Sequence, residues 1–95
     1  MTVLRLDRFT IDPADTEKML TSHAALAAVA KDIFPGLIDV QLAMIDDQTW
    51  IDLWRWDSLA NAQAAAAQGP TIPQAGAAFA VTKSLAVEYA EILDA

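Results

Sequence analysis

Aromatic or acidic side chains occupy every second position from Trp50 to Trp56, and this segment holds all three tryptophans of the chain. In a β-strand, successive side chains point to opposite faces, so every second residue of this segment shares a face. That face carries Trp50, Asp52, Trp54 and Trp56. Indole N–H groups and a buried carboxylate need hydrogen-bond partners, so this face either lines a pocket or fills the core, as aromatic residues commonly do.

Two other strands and one helix could bring polar groups to the same pocket. His23, the only histidine, lies on the apolar stripe of a helix predicted to end before Phe34. We expect the helix-facing layer of the sheet to be unusually polar and to line a cavity with aromatic walls. The expected lining comprises Arg5, Asp7, Phe9, His23, Asp39, Gln41, Asp52, Trp54 and Trp56.

Each polar group also has a structural explanation that the sequence leaves open. His23 could be a hydrogen-bonded residue of the core or of an interface. Arg5 and the aspartates could form surface ion pairs, which contribute little to stability.

Helix and strand signals predict the elements that position these groups. The strand at 2–11 ends at Asp12-Pro13, where aspartate is a favoured N-cap and proline fits the first turn of a helix over 13–33. Phe34-Pro35-Gly36 ends that helix, because proline disfavours helical backbone in the preceding residue, and a strand over 36–46 follows.

The second half of the chain predicts strand, helix and strand. A turn at 46–48 pairs the tryptophan segment with the preceding strand as a hairpin, and Ser58 caps an alanine-rich helix from Leu59. Gly69-Pro70 and Pro73 interrupt that helix, so 69–73 is a candidate lid over the pocket. A helix over 74–85 and a strand over 86–93 complete the chain.

This order predicts an α+β ferredoxin-like fold, βαββαβ, in one domain spanning 1–95. Its antiparallel sheet carries helices on one face only. The other face is expected to be apolar and to consist of Leu4, Leu6, Ile38, Val40, Leu42, Met44, Ile51 and Leu53. Such a patch would be large when exposed, so we expect a symmetric homodimer in which two sheets pack face to face.

Composition narrows the possible functions. A net charge of −7 with only six Lys and Arg disfavours binding to nucleic acids or anionic membranes. The absence of cysteine excludes disulfides, thiolate metal sites and a thiol nucleophile. No metal-ligand spacing, phosphate loop, signal peptide or membrane-spanning run is present, so we expect a cytoplasmic protein without a metal or cofactor.

Two short motifs resemble a known family. Phe34-Pro35-Gly36-Leu37 before the second strand, and Trp56-Asp57-Ser58 followed by an alanine-rich helix, resemble the antibiotic-biosynthesis monooxygenase domain family of the dimeric α+β barrel superfamily. The resemblance covers nearly the whole chain. It implies enzymes that oxidise phenols or quinols without metal or flavin, and also haem-degrading relatives. In the haem-degrading branch a Trp and an Asn match Trp56 and Asp7, but the second helix here has no haem-ligating histidine.

The resemblance therefore implies oxidation of a phenolic or quinol ring by O2 without a cofactor. His23 or Asp7 could take the hydroxyl proton, and Arg5 could stabilise the oxyanion. The residues expected to bind the ring are Phe9, Gln41, Asp52, Trp54 and Trp56. The alternatives are a non-catalytic protein that binds a small aromatic ligand in the same pocket, and a structural dimer with a filled core.

Overall fold

A computed structural model describes residues 1–93 and places four antiparallel strands beside three α-helices. The elements are β1 (Val3–Thr10), α1 (Thr16–Ile33), β2 (Leu37–Met44), β3 (Thr49–Trp56), α2 (Leu59–Gln68), α3 (Pro73–Ala80) and β4 (Ser84–Glu91), with 3₁₀ turns at Pro13–Asp15 and Gly69–Thr71. The sheet order is β2-β3-β1-β4, as the ferredoxin-like prediction requires. No helix within residues 1–93 is long and apolar enough to cross a membrane.

The central strands β1 and β3 carry the helix-facing layer. Asp7 pairs with Asp52 and Arg5 pairs with Trp54, so alternate residues of both strands point to the same side of the sheet. Phe9 and Trp50 are likewise paired and buried on that side. The predicted faces of these two strands are therefore confirmed.

The predicted faces of β2 were wrong. A bulge between Leu37 and Asp39 shifts the pairing with β3, so that Val40 pairs with Trp54 and Gln41 pairs with Leu53. Because a one-residue shift exchanges the two faces of a strand, Val40 and Leu42 pack into the core. Asp39 and Gln41 lie instead on the helix-free face.

This exchange makes the helix-free face mixed rather than wholly apolar. Its apolar residues from the central strands, Leu4, Leu6, Ile51 and Leu53, are half-buried in the single chain. Polar side chains from every strand share that face, because the same registers bring them there. They include Arg8, Asp39, Gln41, Arg55 and Glu88.

The C-terminal boundaries also differ from the predicted ones. α3 ends at Ala80 and β4 begins at Ser84, so 81–83 form a turn rather than helix. The reason is non-local: β4 pairs with all eight residues of β1, and Lys83 N–H donates to the Thr10 carbonyl at 2.8 Å. The strand itself is confirmed.

A glycine corner joins α1 to β2. Gly36 adopts φ +85° and its carbonyl accepts the Asp57 N–H at 2.8 Å. The Asp57 carboxylate in turn accepts Asn61 Nδ2 at 2.8 Å, while Ser58 caps α2 by accepting Asn61 N–H at 3.2 Å. A Cβ at residue 36 would overlap the Asp57 carboxylate. The corner therefore fixes the starts of β2 and α2 relative to each other.

Gly36→Ala tests this corner. We expect it to lower the free energy of unfolding by about 2 kcal/mol or more, because alanine is strained at positive φ and its methyl group would displace Asp57. The melting temperature should then fall by roughly 10 °C. Gly76→Ala is the matched control, since Gly76 lies within α3 with open space around it and alanine favours helix. Equal melting temperatures for the two variants would contradict this role of Gly36.

The homodimer stays a prediction of the sequence, and molar mass tests it. Light scattering on the eluting protein should give twice the 10.2 kDa mass of one chain. Leu6→Asp places a charge at the centre of the helix-free face and should shift the mass to that of one chain. A single-chain mass for the unaltered protein at micromolar concentration would contradict the prediction.

Candidate functional site

A cavity of about 300 Å³ lies between the helix-facing layer of the sheet and the three helices. Its roof consists of small or apolar residues from α2, α3 and the turn between them, including Ala65, Ala66, Pro70, Ile72 and Ala75. Leucine or phenylalanine at these alanines would fill the space. The alanine-rich composition of α2 is thus what leaves room above the sheet.

Most of the predicted lining is present. The cavity is bounded by Arg5, Asp7, Phe9, His23, Asp52, Trp54 and Trp56. Gln41 and Asp39 are not among its lining residues, because the β2 register places both on the opposite face. The expected role of Gln41 beside the ring was therefore based on a wrong placement.

The cavity floor contains a line of four polar side chains. Asp7 and Asp52 face each other directly across the β1–β3 ladder. At one end of the line, Arg5 Nε donates to Asp7 Oδ1 at 2.9 Å. At the other end, His23 Nε2 lies 3.3 Å from Asp52 Oδ2. Asp7, His23 and Asp52 are 7%, 6% and 8% exposed, so the line is a buried network rather than a set of surface ion pairs.

The two facing carboxyl groups do not ionise alike. Burial raises the pKa of Asp7 to about 7, and the hydrogen bond with Asp52 and the Asp52 charge act in the same direction. The guanidinium of Arg5 opposes this shift without cancelling it. Burial also opposes ionisation of Asp52, but the hydrogen bond from His23 and the neighbouring Asp7 and Trp54 side chains outweigh it and hold the pKa of Asp52 below its usual value. Below about pH 7, Asp7 is therefore mostly protonated while Asp52 is ionised.

The ionised Asp52 orients His23. Because a carboxylate only accepts hydrogen bonds, the nitrogen beside it, Nε2, carries the hydrogen. In the neutral ring this leaves Nδ1 as an acceptor, and Nδ1 makes no hydrogen bond to any residue within 1–93. His23 is thus arranged as a base held by a carboxylate.

Three aromatic rings form one wall. Trp54 and Trp56 are nearly parallel, with ring centroids 6.5 Å apart and an interplanar angle of 13°. Phe34 packs against Trp56 at 6.2 Å, and the His23 ring meets Trp54 edge-on at 6.1 Å. Trp50 belongs to a separate core cluster with Phe9, so the tryptophan face serves both as core and as cavity wall.

The sequence did not identify several lining residues. Met19, Leu26 and Phe34 come from α1 and its end, Phe79 comes from α3, Thr82 from the turn after it, and Leu85 from β4. The α1 residues had a signal, because Met19 and Leu26 share the stripe that carries His23. The others had none, since a wrong helix boundary obscured their placement. Tyr89 of β4 is not among the lining residues, but its ring centroid lies 6.0 Å from Arg5 Cζ, a contact that the sequence also did not reveal.

Metal ligands are not grouped in the described part of the chain. Within residues 1–93, no cluster of three or more histidine, aspartate and glutamate side chains is placed to hold a metal ion. The carboxylates of the cavity floor are instead hydrogen-bonded to Arg5 and His23.

The Asp7→Asn variant tests the shifted ionisation. An aspartate whose pKa rises from 3.8 to about 7 on folding contributes stability below pH 3.8, which is lost as the pH rises through 7. Asparagine cannot titrate, so its variant does not lose this stability. The melting temperature of the variant minus that of the unaltered protein should therefore increase by several degrees as the pH rises from about 4.5 to 7.5. Asp47→Asn, in the exposed hairpin turn, is the control. A difference that stays constant across this range would contradict the assignment.

Comparison with solved structures identifies proteins of the same fold. No protein-family model and no curated protein matches the chain. A Caulobacter crescentus protein named "putative antibiotic biosynthesis monooxygenase" has a TM-score of 0.83 at 16% identity, with 98% of this chain and 91% of that one covered. SnoaB, a cofactor-independent oxygenase from Streptomyces nogalater, has a TM-score of 0.73 at 22% identity, covering 99% and 95%. A Nitrosomonas europaea protein with the same description as the first has a TM-score of 0.82 at 8% identity, covering 97% and 90%. At these identities the common property is the fold: this chain has the α+β fold of solved proteins that bear the name antibiotic biosynthesis monooxygenase.

Proposed function

We propose that the protein is a cofactor-independent monooxygenase that oxidises a phenolic or quinol ring with O2. The observation that carries this proposal is the buried line from Arg5 through Asp7 and Asp52 to His23 beneath an aromatic wall. The name of SnoaB, a cofactor-independent oxygenase with the same fold, supports it. Oxidation without a cofactor requires an enzyme that makes the substrate itself electron-rich, and a buried base beside a cation suits that task.

Binding of the ring comes from the wall and roof. Trp54 and Trp56 offer large apolar surface with aromatic stacking, and the roof of alanine, proline and isoleucine adds further apolar surface. The cavity volume of about 300 Å³ lies at the small end of ligand pockets. A ligand of one to three fused rings fits this size better than a larger polycycle.

Proton removal is the role of His23. Nδ1 accepts the hydroxyl proton, and the Asp52 carboxylate at Nε2 stabilises the imidazolium that forms. The negative charge that develops on the phenolic oxygen is stabilised by Arg5, which Asp7 holds at 2.9 Å. Tyr89 packs against Arg5 and limits its movement.

The phenolate then supplies all the electrons. A ring carbon para to the oxygen forms a bond to O2, and the resulting peroxide loses water. The phenol loses its hydroxyl hydrogen and the hydrogen of the para carbon. One oxygen atom of O2 becomes the new carbonyl oxygen, and the other leaves as water with these two hydrogens. A phenol and O2 thus yield a quinone and water, and no external reductant is consumed.

A binding protein without catalysis is the second candidate. Its support is that Arg5 and His23 are each already bound to a carboxylate in the single chain, at 2.9 and 3.3 Å, as in a site built for stability. The aromatic wall would hold a flat ligand without any chemistry.

Oxygen consumption and tryptophan fluorescence, recorded together, test the proposed reaction. Titration with simple quinols and polycyclic phenols should quench Trp54 and Trp56 and should consume one O2 per quinone formed. His23→Gln keeps a hydrogen-bonding group beside Asp52 but removes the base, so we expect oxygen uptake to fall at least about 100-fold while quenching persists. Asp47→Asn, far from the cavity, is the matched control. Quenching without oxygen uptake across the panel would contradict the monooxygenase and favour the binding protein.

A further inference from the structure

Apolar side chains continue outside the cavity along the helix-facing side of β4. The three residues of β4 that pair with the cavity-lining residues of β1 are Leu85, Val87 and Tyr89. They are 45%, 40% and 39% exposed, and we call them the β4 strip. We propose that the β4 strip is a second binding subsite, which takes an uncharged apolar substituent, such as an alkyl chain, of the ring held in the cavity. This inference rests on the proposed function only in placing a phenolic ring in the cavity.

The helix layer stops short of β4. α1 packs chiefly on β2, and α2 packs on β1 and β3. Within residues 1–93, β4 is the one strand whose eight residues are all exposed. Its large apolar residues are confined to the side that carries the strip, because the other side consists of Ser84, Ala86, Glu88 and Ala90. Contiguous apolar surface of this kind commonly marks a binding site.

Two side chains make the strip continuous with the cavity. Phe79 and Leu85 both line the cavity, and both are nearly half exposed, so they form part of its rim. Tyr89 adds a second link, because its ring centroid lies 6.0 Å from Cζ of Arg5, which is also a lining residue. A substituent that leaves the bound ring at this rim therefore meets the β4 strip directly.

The length and charge of the strip define what it can hold. It extends about 13 Å from Leu85 to Tyr89, at about 3.3 Å per residue, which matches an extended chain of about ten carbons. Glu91, the next residue on this side, ends the apolar surface with a carboxylate. At the other end, Lys83 is paired with Asp12 at 3.8 Å. An uncharged chain is favoured over an anionic one, because the strip offers no cation to a buried charge.

Calorimetric titration under nitrogen tests the subsite, because no O2 is then present to oxidise the ligand. The probes are 3-alkylphenols with chains of one to eight carbons, in which the position para to the hydroxyl group stays open. A methylene that lies on an apolar surface loses roughly half of its contact with water. We therefore expect the affinity to rise about twofold per carbon, so that 3-octylphenol binds about 100-fold more tightly than 3-methylphenol.

A polar residue in the middle of the strip should remove most of this gain. Val87→Gln adds no charge beside Asp7, and we expect it to reduce the affinity ratio of octyl to methyl from about 100 to about ten or less. Val87→Thr keeps the branched shape that strands favour, and should lower the ratio in the same direction. Leu20→Gln is the matched control, because Leu20 is similarly exposed but lies on α1 outside the cavity lining. It should keep the full ratio.

Three results would overturn the subsite. They are an affinity that does not depend on chain length, the absence of any binding, and an unreduced ratio in folded Val87→Gln and Val87→Thr. Light scattering tests a second copy of the chain as the competing occupant. If Val87→Gln lowers the molar mass of the unaltered protein by half, the strip is a contact between subunits and the subsite is likewise overturned.

The two proposals fail separately. A gain with chain length in a protein that consumes no O2 with any phenol would support the subsite and overturn the monooxygenase. Oxygen uptake with phenols but equal affinity for all chain lengths would overturn the subsite and leave the monooxygenase standing.

Discussion

The facing pair Asp7 and Asp52 is the constraint around which the rest of the site is organised. Two carboxylates in direct cross-strand contact in a buried layer repel each other, and each also loses hydration. This repulsion and the burial raise the pKa of Asp7 to about 7, and one donor lies at each end of the pair, Arg5 and His23. Because Asp7 and Asp52 are adjacent only in this strand register, any slip between β1 and β3 would leave a carboxylate without its partner.

Strand register in turn depends on features far from the cavity. The Gly36 corner binds the end of β3 to the start of β2, and the bulge after Leu37 turns Val40 and Leu42 inward. Those two residues supply apolar surface beneath the core clusters, which compensates for a helix-facing layer that carries two aspartates and a histidine. The polar floor is therefore possible because an edge strand supplies the missing hydrophobic contacts.

The sequence predicted the central strands better than the edges, and for a physical reason. Alternation along β1 and β3 is strong, because large aromatic or charged side chains occupy every second position on one face of each strand. In β2 both faces contain apolar residues, so alternation alone does not say which face meets the helices, and a bulge is invisible to periodicity. Gln41 was misplaced for that reason. Likewise, the start of β4 is fixed by its pairing with Thr10, a contact that no local signal reveals.

The choice between pocket and filled core, which the tryptophans alone left open, turns on the residues opposite them. Trp50 meets Phe9, Ile11 and Met19 and is closed over as core. Trp54 and Trp56, four and six residues later on the same face, meet α2 and α3, where the facing side chains are alanines. Aromatic surface beneath small side chains leaves space that the chain does not fill, and a space of this kind lowers stability unless a ligand occupies it. This destabilising space lies above the polar side chains of the cavity floor. Such an arrangement is expected where ligand binding, rather than packing, determines which residues are present.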